Sequence, residues 1–137
     1  MPKYSTKSLS KLLSCHEDII EIMETVVQYF DNTIVCGHRG KAEQDKAFED
    51  GFSTVEYPNS KHNVLPSMAV DSVPYPIDWK DVNRMRYYAG FVVGISWMLY
   101  AAGVTTHVMT SGLDWDNDTE LSDTRFRDAP HFQLYKP

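Results

Sequence analysis

One short stretch, "SKHNVLPSMAVD" (60–71), constrains the fold of this chain more than any other. Its second half alternates in a pattern that predicts a strand over 68–73, and Asp71 lies inside that strand. A carboxylate that leaves water must be hydrogen bonded, paired with a cation or bound to a metal. His62 lies nine residues earlier, across a proline-containing segment that we expect to fold back. The fold must therefore supply a partner for Asp71, and His62 is the first candidate.

Helical and strand-like patterns alternate along the 137 residues. Apolar residues at helical spacing predict a helix over 16–30 with one buried face. The other predicted elements are a strand at 33–37, a helix at 40–51 stopped by Gly51, an irregular loop at 52–67, a strand at 68–73, a helix from an Asp78 cap to about Ala102 with Gly103 as its stop, and strands at 105–110 and 130–135. This order predicts the α+β class, with helices packed on a small antiparallel sheet in a single domain, 1–137.

Composition and charge exclude several classes of protein. Hydrophobic residues make up 42% of the chain and charged residues 23%, as in a globular domain. The formal net charge is −6, and six of the 19 acidic residues lie between 111 and 128, which argues against nucleic-acid binding and favours a local cation site. The apolar stretch 89–104 is short for a membrane span and contains Ser96 and three internal glycines, so we expect a buried helix.

Two features bear on the cellular compartment. The N-terminus "MPKYSTKSLSKLL" lacks the long apolar core of a secretory signal, so we expect a protein made in the cytoplasm. Cys15 and Cys36 are not spaced as a metal-binding pair, and we expect both to be reduced thiols in the core.

A second stretch, "RDAPHFQL" (127–134), offers further candidates for a metal site. Two histidines and one aspartate are the ligand types of a catalytic zinc with an open fourth position, a set that His62, Asp71 and His131 would supply. Asp128 lies three residues before His131, where a carboxylate can take a proton from a zinc-bound water. Such residues also have ordinary roles, because a histidine before a strand is more often a surface residue and an aspartate at a strand end is more often a turn or cap residue. The chain has three further histidines, and spacing alone does not say which of them meet: His16, His38, His107.

Four separated segments together resemble the zinc peptidases that cut peptidoglycan peptides. This family includes D-alanyl-D-alanine carboxypeptidases and dipeptidases and phage L-alanyl-D-glutamate endopeptidases, and it shares a fold with the hedgehog signalling domain. Its pattern is Ser-x-His, a spacer, Ala-x-Asp and, later, acid-x-x-His. The matching positions in this chain are Ser60, His62, Ala69, Asp71, Asp128 and His131. The segment 35–53 is similar to the family's upstream segment and 114–134 resembles the phage branch, so the resemblance covers about residues 30 to 135.

The resemblance implies a role for each matching residue. His62, Asp71 and His131 would hold one Zn²⁺, and Asp128 would deprotonate the bound water and later pass a proton to the leaving amine. Arg39 would stabilise the oxyanion or a substrate carboxylate. Three further residues are candidates for substrate binding or for supporting a ligand: Ser60, Gln44 and His107, the last of which is explained slightly better as a core residue.

Two departures from the family pattern affect the site. The spacing from His62 to Asp71 is nine residues, longer than in the usual Ser-x-His-x-x-Gly-x-Ala-x-Asp, and "LPS" replaces the glycine turn. Asp128 stands where many relatives carry glutamate, so its shorter arm must come closer to the water.

These expectations converge on a zinc-dependent endopeptidase that hydrolyses peptidoglycan stem peptides at the L-alanyl-D-glutamate bond, as a phage or prophage endolysin does. Two alternatives stay open: a D-Ala-D-Ala carboxypeptidase or dipeptidase, and a zinc-stabilised binding domain without turnover. We expect a monomer that binds no nucleic acid and inserts in no membrane. It would be made in the host bacterial cytoplasm and would act at the cell wall after a separate pore-forming protein gives it access.

The acidic run "DWDNDTE" (114–120) is the remaining motif. It places four carboxylates at every second position: Asp114, Asp116, Asp118, Glu120. Alternating oxygens in a loop can wrap Ca²⁺, as in an EF-hand, but the glycine of the sharp turn and the glutamate of the twelfth position are missing. The run is therefore either a solvated acidic loop or a calcium site that would order the segment leading into Asp128 and His131.

Overall fold

The computed structural model describes residues 1–124 and 127–137. Its helices are α1 (Thr6–Leu12), α2 (Glu17–Tyr29), α3 (Lys41–Glu49) and α4 (Val82–Ala101), with a short 3₁₀ turn at Lys61–Asn63. Its strands are β1 (Asn32–Cys36), β2 (Ala69–Pro74), β3 (Val108–Ser111) and β4 (His131–Tyr135). The predicted α+β class is confirmed. Within the segment 114–134 that carries part of the resemblance, residues 125 and 126 lie outside the described residues.

The four strands in the described part of the chain form a sheet in the order β1-β2-β4-β3, and every neighbouring pair is antiparallel. β2 and β4 lie at its centre. In their register Asp71 stands opposite His131, and Ala69 stands opposite Gln133. Side chains directly opposite each other in an antiparallel pair lie on the same face of the sheet. This register therefore puts Asp71, His131 and Gln133 on one face.

The opposite face of the sheet packs against helices α2 and α4. Alternate residues of β2 and β4 point toward these helices and are at most 2% exposed: Val70, Phe132, Leu134. The ring of Phe132 meets that of Tyr88 on α4 edge-on, with 6.0 Å between the ring centroids. Burying an apolar side chain of this size stabilises the fold by about 1.5–3 kcal/mol. The core thus decides which face of the sheet is left for a site.

The buried faces of α2 and α4 follow the helical spacing of the sequence. The expectation of a buried helix over 89–104 was wrong, because α4 buries only one face there and exposes Trp97, Met98 and Tyr100. On α2 the buried apolar residues are Ile19, Ile22, Met23, Val26 and Val27. On α4 the buried Ser96 hydroxyl accepts the N–H of Met109 on β3 (3.0 Å) and donates to the carbonyl of Val93 (2.7 Å). Gly51 and Gly103 follow α3 and α4 with φ of +80° and +75°, a conformation that glycine adopts without strain. None of the helices in the described ranges is both long and apolar enough to cross a bilayer.

The start of α4 differs from the prediction. Asp81, not Asp78, caps the helix, since its carboxylate accepts the N–H of Arg84 (3.1 Å). Asp78 instead accepts the N–H of Lys80 (3.0 Å) in the turn before the helix. Either aspartate is a suitable cap residue, and sequence spacing does not decide between them.

Three other expectations were inaccurate. No sequence pattern predicts α1, which is short and is tied to the sheet by a polar contact, because the Ser8 hydroxyl accepts the N–H of Ile34 on β1 (3.1 Å). β3 begins at Val108 rather than at residue 105. Both cysteines are free thiols, but only Cys15 is buried, whereas Cys36 is half-buried and lies outside the core.

The late start of β3 has its cause at the first turn of α2. Thr106 donates two hydrogen bonds to one carboxylate oxygen of Asp18, from its N–H (3.0 Å) and from its hydroxyl (3.1 Å), so this N–H is not available to a strand. His107 donates to the same oxygen through Nδ1 (2.7 Å). Burial would raise the pKa of Asp18, but the hydrogen bonds from His107 and Thr106 outweigh it and hold that pKa below its usual value. A buried charge therefore ties α2 to the start of β3.

We expect Asp18→Asn to lower the free energy of unfolding by about 1–3 kcal/mol at pH 7, because the buried carboxylate loses the charge that strengthens three hydrogen bonds. The pKa of Asp18 is depressed by folding, so this contribution is present above the unfolded pKa of about 4 and is lost as pH falls through the folded value. Urea titrations should show the gap between wild type and variant narrowing from pH 7 to pH 3. Asp45→Asn removes an exposed carboxylate paired with Lys41 and is the control. An equal loss in both variants would contradict the prediction.

Candidate active site

Two histidines and one aspartate converge on the face of the sheet opposite the helices. His62 Nε2, Asp71 Oδ1 and His131 Nδ1 form a triangle with sides of 3.1, 3.2 and 3.3 Å, called the ligand triangle below. The register of β2 and β4 brings Asp71 and His131 together, and the 3₁₀ turn delivers His62 from the segment before β2. His62 and His131 are 1% and 7% exposed. The structure thus brings together the three residues that the sequence predicts as ligands.

Each histidine of the ligand triangle has its second ring nitrogen hydrogen bonded to an oxygen that can only accept. His62 Nδ1 donates to the carbonyl of Gly37 (2.8 Å), and His131 Nε2 donates to Oε1 of Gln133 (2.9 Å). With those nitrogens protonated, the lone pairs of the other two point into the triangle. Sequence reasoning missed Gln133, although its position two residues after His131 on the same face of a strand is a signal that could have found it.

The ligand triangle fits a tetrahedral metal ion. Zinc binds histidine nitrogen and carboxylate oxygen at about 2.0–2.2 Å, which in a tetrahedron separates neighbouring ligand atoms by about 3.3–3.6 Å. The separations of 3.1, 3.2 and 3.3 Å are close to that range. The three side chains would fill three corners and leave one corner for another ligand.

Charges within the ligand triangle are strongly coupled. Burial would lower the pKa of His62, but the charge of Asp71 and its hydrogen bond raise that pKa to about 10. Burial would likewise raise the pKa of Asp71, but His62 and His131 hold it well below its usual value. The surroundings therefore favour positive charge beside the Asp71 carboxylate, and a divalent cation would supply such a charge.

Asp128 lies beside the ligand triangle, in the turn that leads into β4. Its Oδ2 is 3.9 Å from Nδ1 of His131. Burial and the charge of Asp71 raise the pKa of Asp128 to about 6, although His131, His62 and Arg39 oppose the shift. The structure thus places a carboxyl group with a perturbed pKa next to the candidate ligands, as the resemblance implies.

The main chain around Asp128 is held by a glycine that sequence reasoning missed. Gly112, directly after β3, donates its N–H to the carbonyl of His131 (2.7 Å), and its carbonyl accepts the N–H of Asp128 (2.9 Å). A Cβ at position 112 would collide with the carbonyl oxygen of Asp128. A side chain at this position would therefore force the two segments apart and displace Asp128. The only sequence signal was a glycine close after a predicted strand.

Arg39 is fixed beside the ligand triangle by a buried glutamine. Its Nη1 donates to Oε1 of Gln44 (2.9 Å), and its Nη2 donates to Oδ2 of Asp71 (3.4 Å). Gln44 is fully buried on α3, where its Nε2 donates to the Ser53 hydroxyl and to the Val55 carbonyl. Arg39 thus lies where the resemblance places it, and the described contacts of Gln44 orient Arg39 and the loop after α3.

The other two candidates make contacts that hold the fold. Ser60 caps the 3₁₀ turn, since its hydroxyl accepts the N–H of His62 (3.2 Å), and so it positions a candidate ligand. His107 lies before β3, at the end remote from the ligand triangle, and bonds to Asp18. Its ring packs against that of His16, which caps α2. Among the described residues, no hydrogen bond joins His107 to the ligand triangle.

Three of the four carboxylates of the acidic run lie close together. Asp114, Asp116 and Asp118 each offer an oxygen within 4.8 Å of the others, whereas Glu120 is not part of that group. Backbone N–H groups of the loop turn toward these carboxylates, with Thr119 donating to Asp114 (2.9 Å) and Glu120 donating to Asp118 (2.8 Å). Exposed acidic loops form with or without a cation, so calcium stays a prediction.

A cleft of about 990 Å³ opens over the ligand triangle, Arg39 and Asp128. Its remaining walls carry aromatic and cationic side chains, among them Phe52, Lys61, Trp79, Trp115 and Arg127. The ring of Trp115 lies 5.1 Å from that of His131. A cleft of this size suits a short peptide segment rather than a single ion.

Comparison with known proteins identifies the family of this chain. The profile of the family described as phage L-alanyl-D-glutamate peptidase matches residues 1–135. Among solved structures, the crystal structure of Serratia marcescens L-Ala D-Glu endopeptidase ChiX has a TM-score of 0.71 at 22% sequence identity, over 96% of this chain and 89% of that chain, a likeness that concerns the fold. No curated protein matches. Because the family profile spans nearly the whole sequence, the chain belongs to the phage L-alanyl-D-glutamate peptidase family.

Proposed function

We propose that this protein is a zinc-dependent endopeptidase that hydrolyses peptidoglycan stem peptides at the L-alanyl-D-glutamate bond. The observation that carries the proposal is the ligand triangle with Asp128 only 3.9 Å from one of its atoms. A structural zinc is usually closed by four protein ligands and needs no base. Three ligands beside a carboxylate therefore support hydrolysis over a binding domain without turnover. The description of the family supports this bond over the D-Ala-D-Ala bond.

The position of each residue supports a distinct role. Zn²⁺ held by His62, Asp71 and His131 would lower the pKa of a water ligand and polarise the scissile carbonyl. Asp128 accepts the proton of the attacking water and delivers it to the leaving amine, as a general base and then a general acid. Arg39, held beside Asp71, donates hydrogen bonds to the carbonyl oxygen as that oxygen gains negative charge.

The proposal includes a route to the substrate. The protein acts as a monomer at the cell wall of the host bacterium in which it is made, and a separate pore-forming protein gives it access. Wild type and an inactive variant, each expressed inside bacteria, test this route. Lysis is expected only from wild type and only when the inner membrane is permeabilised.

Asp128→Asn should reduce kcat for peptidoglycan hydrolysis by about 10²–10⁴-fold while bound zinc stays near one per chain, because the amide keeps the shape of the carboxylate but does not take a proton. Purified peptidoglycan is digested by zinc-loaded protein, and new amino termini are identified by mass spectrometry. We expect wild type to expose D-glutamate amino termini. Glu24→Gln, which neutralises an exposed carboxylate on α2, is the matched control and should cut at the wild-type rate. Absence of cleavage by zinc-loaded wild type would overturn the proposal.

Gln133→Leu should weaken zinc binding by about 10- to 100-fold, because His131 loses the oxygen that accepts its Nε2 proton and keeps Nδ1 free for the metal. Competition with a chromophoric chelator measures the affinity. Gln28→Leu, on the exposed side of α2, makes the same chemical change away from the site and should leave the affinity unchanged. Equal affinities in wild type and Gln133→Leu would show that this hydrogen bond does not support a ligand.

Calcium at the acidic run is a separate part of the proposal. Three carboxylates share a small volume there, and a bound cation would remove their mutual repulsion. We expect millimolar Ca²⁺ to raise the Tm of wild type and to leave that of Asp116→Asn less changed, as measured by differential scanning calorimetry. If calcium changes neither the Tm nor the activity of wild type, the run is a solvated loop.

A further inference from the structure

We propose that Arg127, supported by Lys61, forms a subsite that binds the free carboxylate of the glutamate residue in the substrate. The inference rests on the proposed function and deepens it, because it names the chemical group that the cleft recognises beside the scissile bond. A stem peptide in which this carboxylate is replaced by a carboxamide would then be a poor substrate.

The substrate carries a free carboxylate close to the scissile bond. In an L-alanyl-D-glutamate bond, glutamate contributes its amine to the scissile amide. One of its two carboxyl groups continues the peptide, so the other is left as a free anion within a few bonds of the scissile nitrogen. An anion held close to a catalytic carboxylate costs free energy unless a cation faces it.

The described lining of the cleft has more cationic than acidic side chains, although the whole chain is acidic. The protein has 13 lysine and arginine residues and 19 acidic residues. Among the residues that the structure describes, three lysine and arginine residues line the cleft (Arg39, Lys61 and Arg127) and two acidic residues do so (Asp71 and Asp128). The cleft is therefore locally suited to an anionic ligand on a chain whose formal net charge is −6.

Arg39 is held by two protein groups and is assigned to the carbonyl oxygen of the scissile bond, which leaves the glutamate carboxylate to the other two cations. The guanidinium of Arg39 donates to Gln44 and to Asp71. Lys61 and Arg127 are exposed, and within residues 1–124 and 127–137 no hydrogen bond or ion pair is described for either side chain. Their cationic groups are thus available to a ligand in the cleft.

The position of Arg127 in the chain indicates which part of the substrate it meets. Arg127 directly precedes Asp128, the proposed donor of a proton to the leaving amine. That amine belongs to the glutamate residue, so glutamate lies on the Asp128 side of the scissile bond. A guanidinium next to Asp128 can donate two parallel hydrogen bonds to the free carboxylate. Lys61 directly precedes His62 and adds a second positive charge in the same cleft.

The test uses two soluble disaccharide peptides that differ only in whether the second glutamate carboxyl is a carboxylate or a carboxamide. We expect zinc-loaded wild type to prefer the carboxylate peptide by about 10- to 100-fold in kcat/KM. Arg127→Gln should lose most of this preference by slowing cleavage of the carboxylate peptide while leaving the carboxamide peptide nearly unchanged. Lys61→Gln should lose a smaller part. Arg86→Gln removes an exposed arginine on α4, outside the cleft, and should keep the wild-type preference.

The outcomes separate this inference from the proposed function. Equal kcat/KM for the two peptides in wild type overturns the inference and leaves the proposed function standing. A parallel loss on both peptides in Arg127→Gln also overturns it, because a structural role slows both substrates. Cleavage of intact peptidoglycan but of neither soluble peptide counts against the subsite, since a bound carboxylate should lower KM for short substrates too. No cleavage of any of the three substrates contradicts the proposed function itself.

Discussion

The pairing of β2 with β4 is the constraint on which the candidate site depends. Asp71 and His131 face each other across these antiparallel strands, so their side chains must share a face. A slip of one residue would turn Asp71 toward the helices and would expose Val70, which is fully buried. The core and the site therefore select the same register. The free energy of packing α2 and α4 on the sheet also holds two candidate ligands in place.

The third candidate ligand depends on a turn rather than on a strand, and its orientation is set by hydrogen bonds. Ser60 caps the turn that carries His62, and the carbonyl of Gly37 fixes the protonated nitrogen of the His62 ring. A proton on His62 balances the charge of the Asp71 carboxylate, which is why the pKa of His62 is high and that of Asp71 is low. A divalent cation in the triangle would take over that balance. It would also offset the charge of Asp71 that contributes to the raised pKa of Asp128.

Patterns that repeat along the chain were predicted well, and single contacts between distant segments were not. Helical periodicity predicted the buried face of α2, and the resemblance supplied all three residues of the ligand triangle. The hydrogen bond that Gln133 accepts from His131 is local to β4, and its signal in the sequence was overlooked. The close approach of Gly112 to Asp128 depends on how β3 and the turn before β4 meet. The cap of α4 and the start of β3 were misplaced for a related reason, since each is decided by which N–H group finds an aspartate. Residue type and spacing carry no direct record of such pairings.

The shorter arm of Asp128 makes the approach of its main chain important. A glutamate at this position would reach about one methylene further, so an aspartate acting on the same water needs a backbone that lies closer to the ligands. Gly112 permits this approach. Its carbonyl accepts the N–H of Asp128, its N–H donates to the carbonyl of His131, and the carbonyl oxygen of Asp128 leaves no room for a Cβ at position 112. The two hydrogen bonds also couple Asp128, the proposed base, to the candidate ligand His131 through one residue. The glycine after β3 and the aspartate before β4 are thus parts of a single arrangement, and a change at either position alters the geometry available to the other.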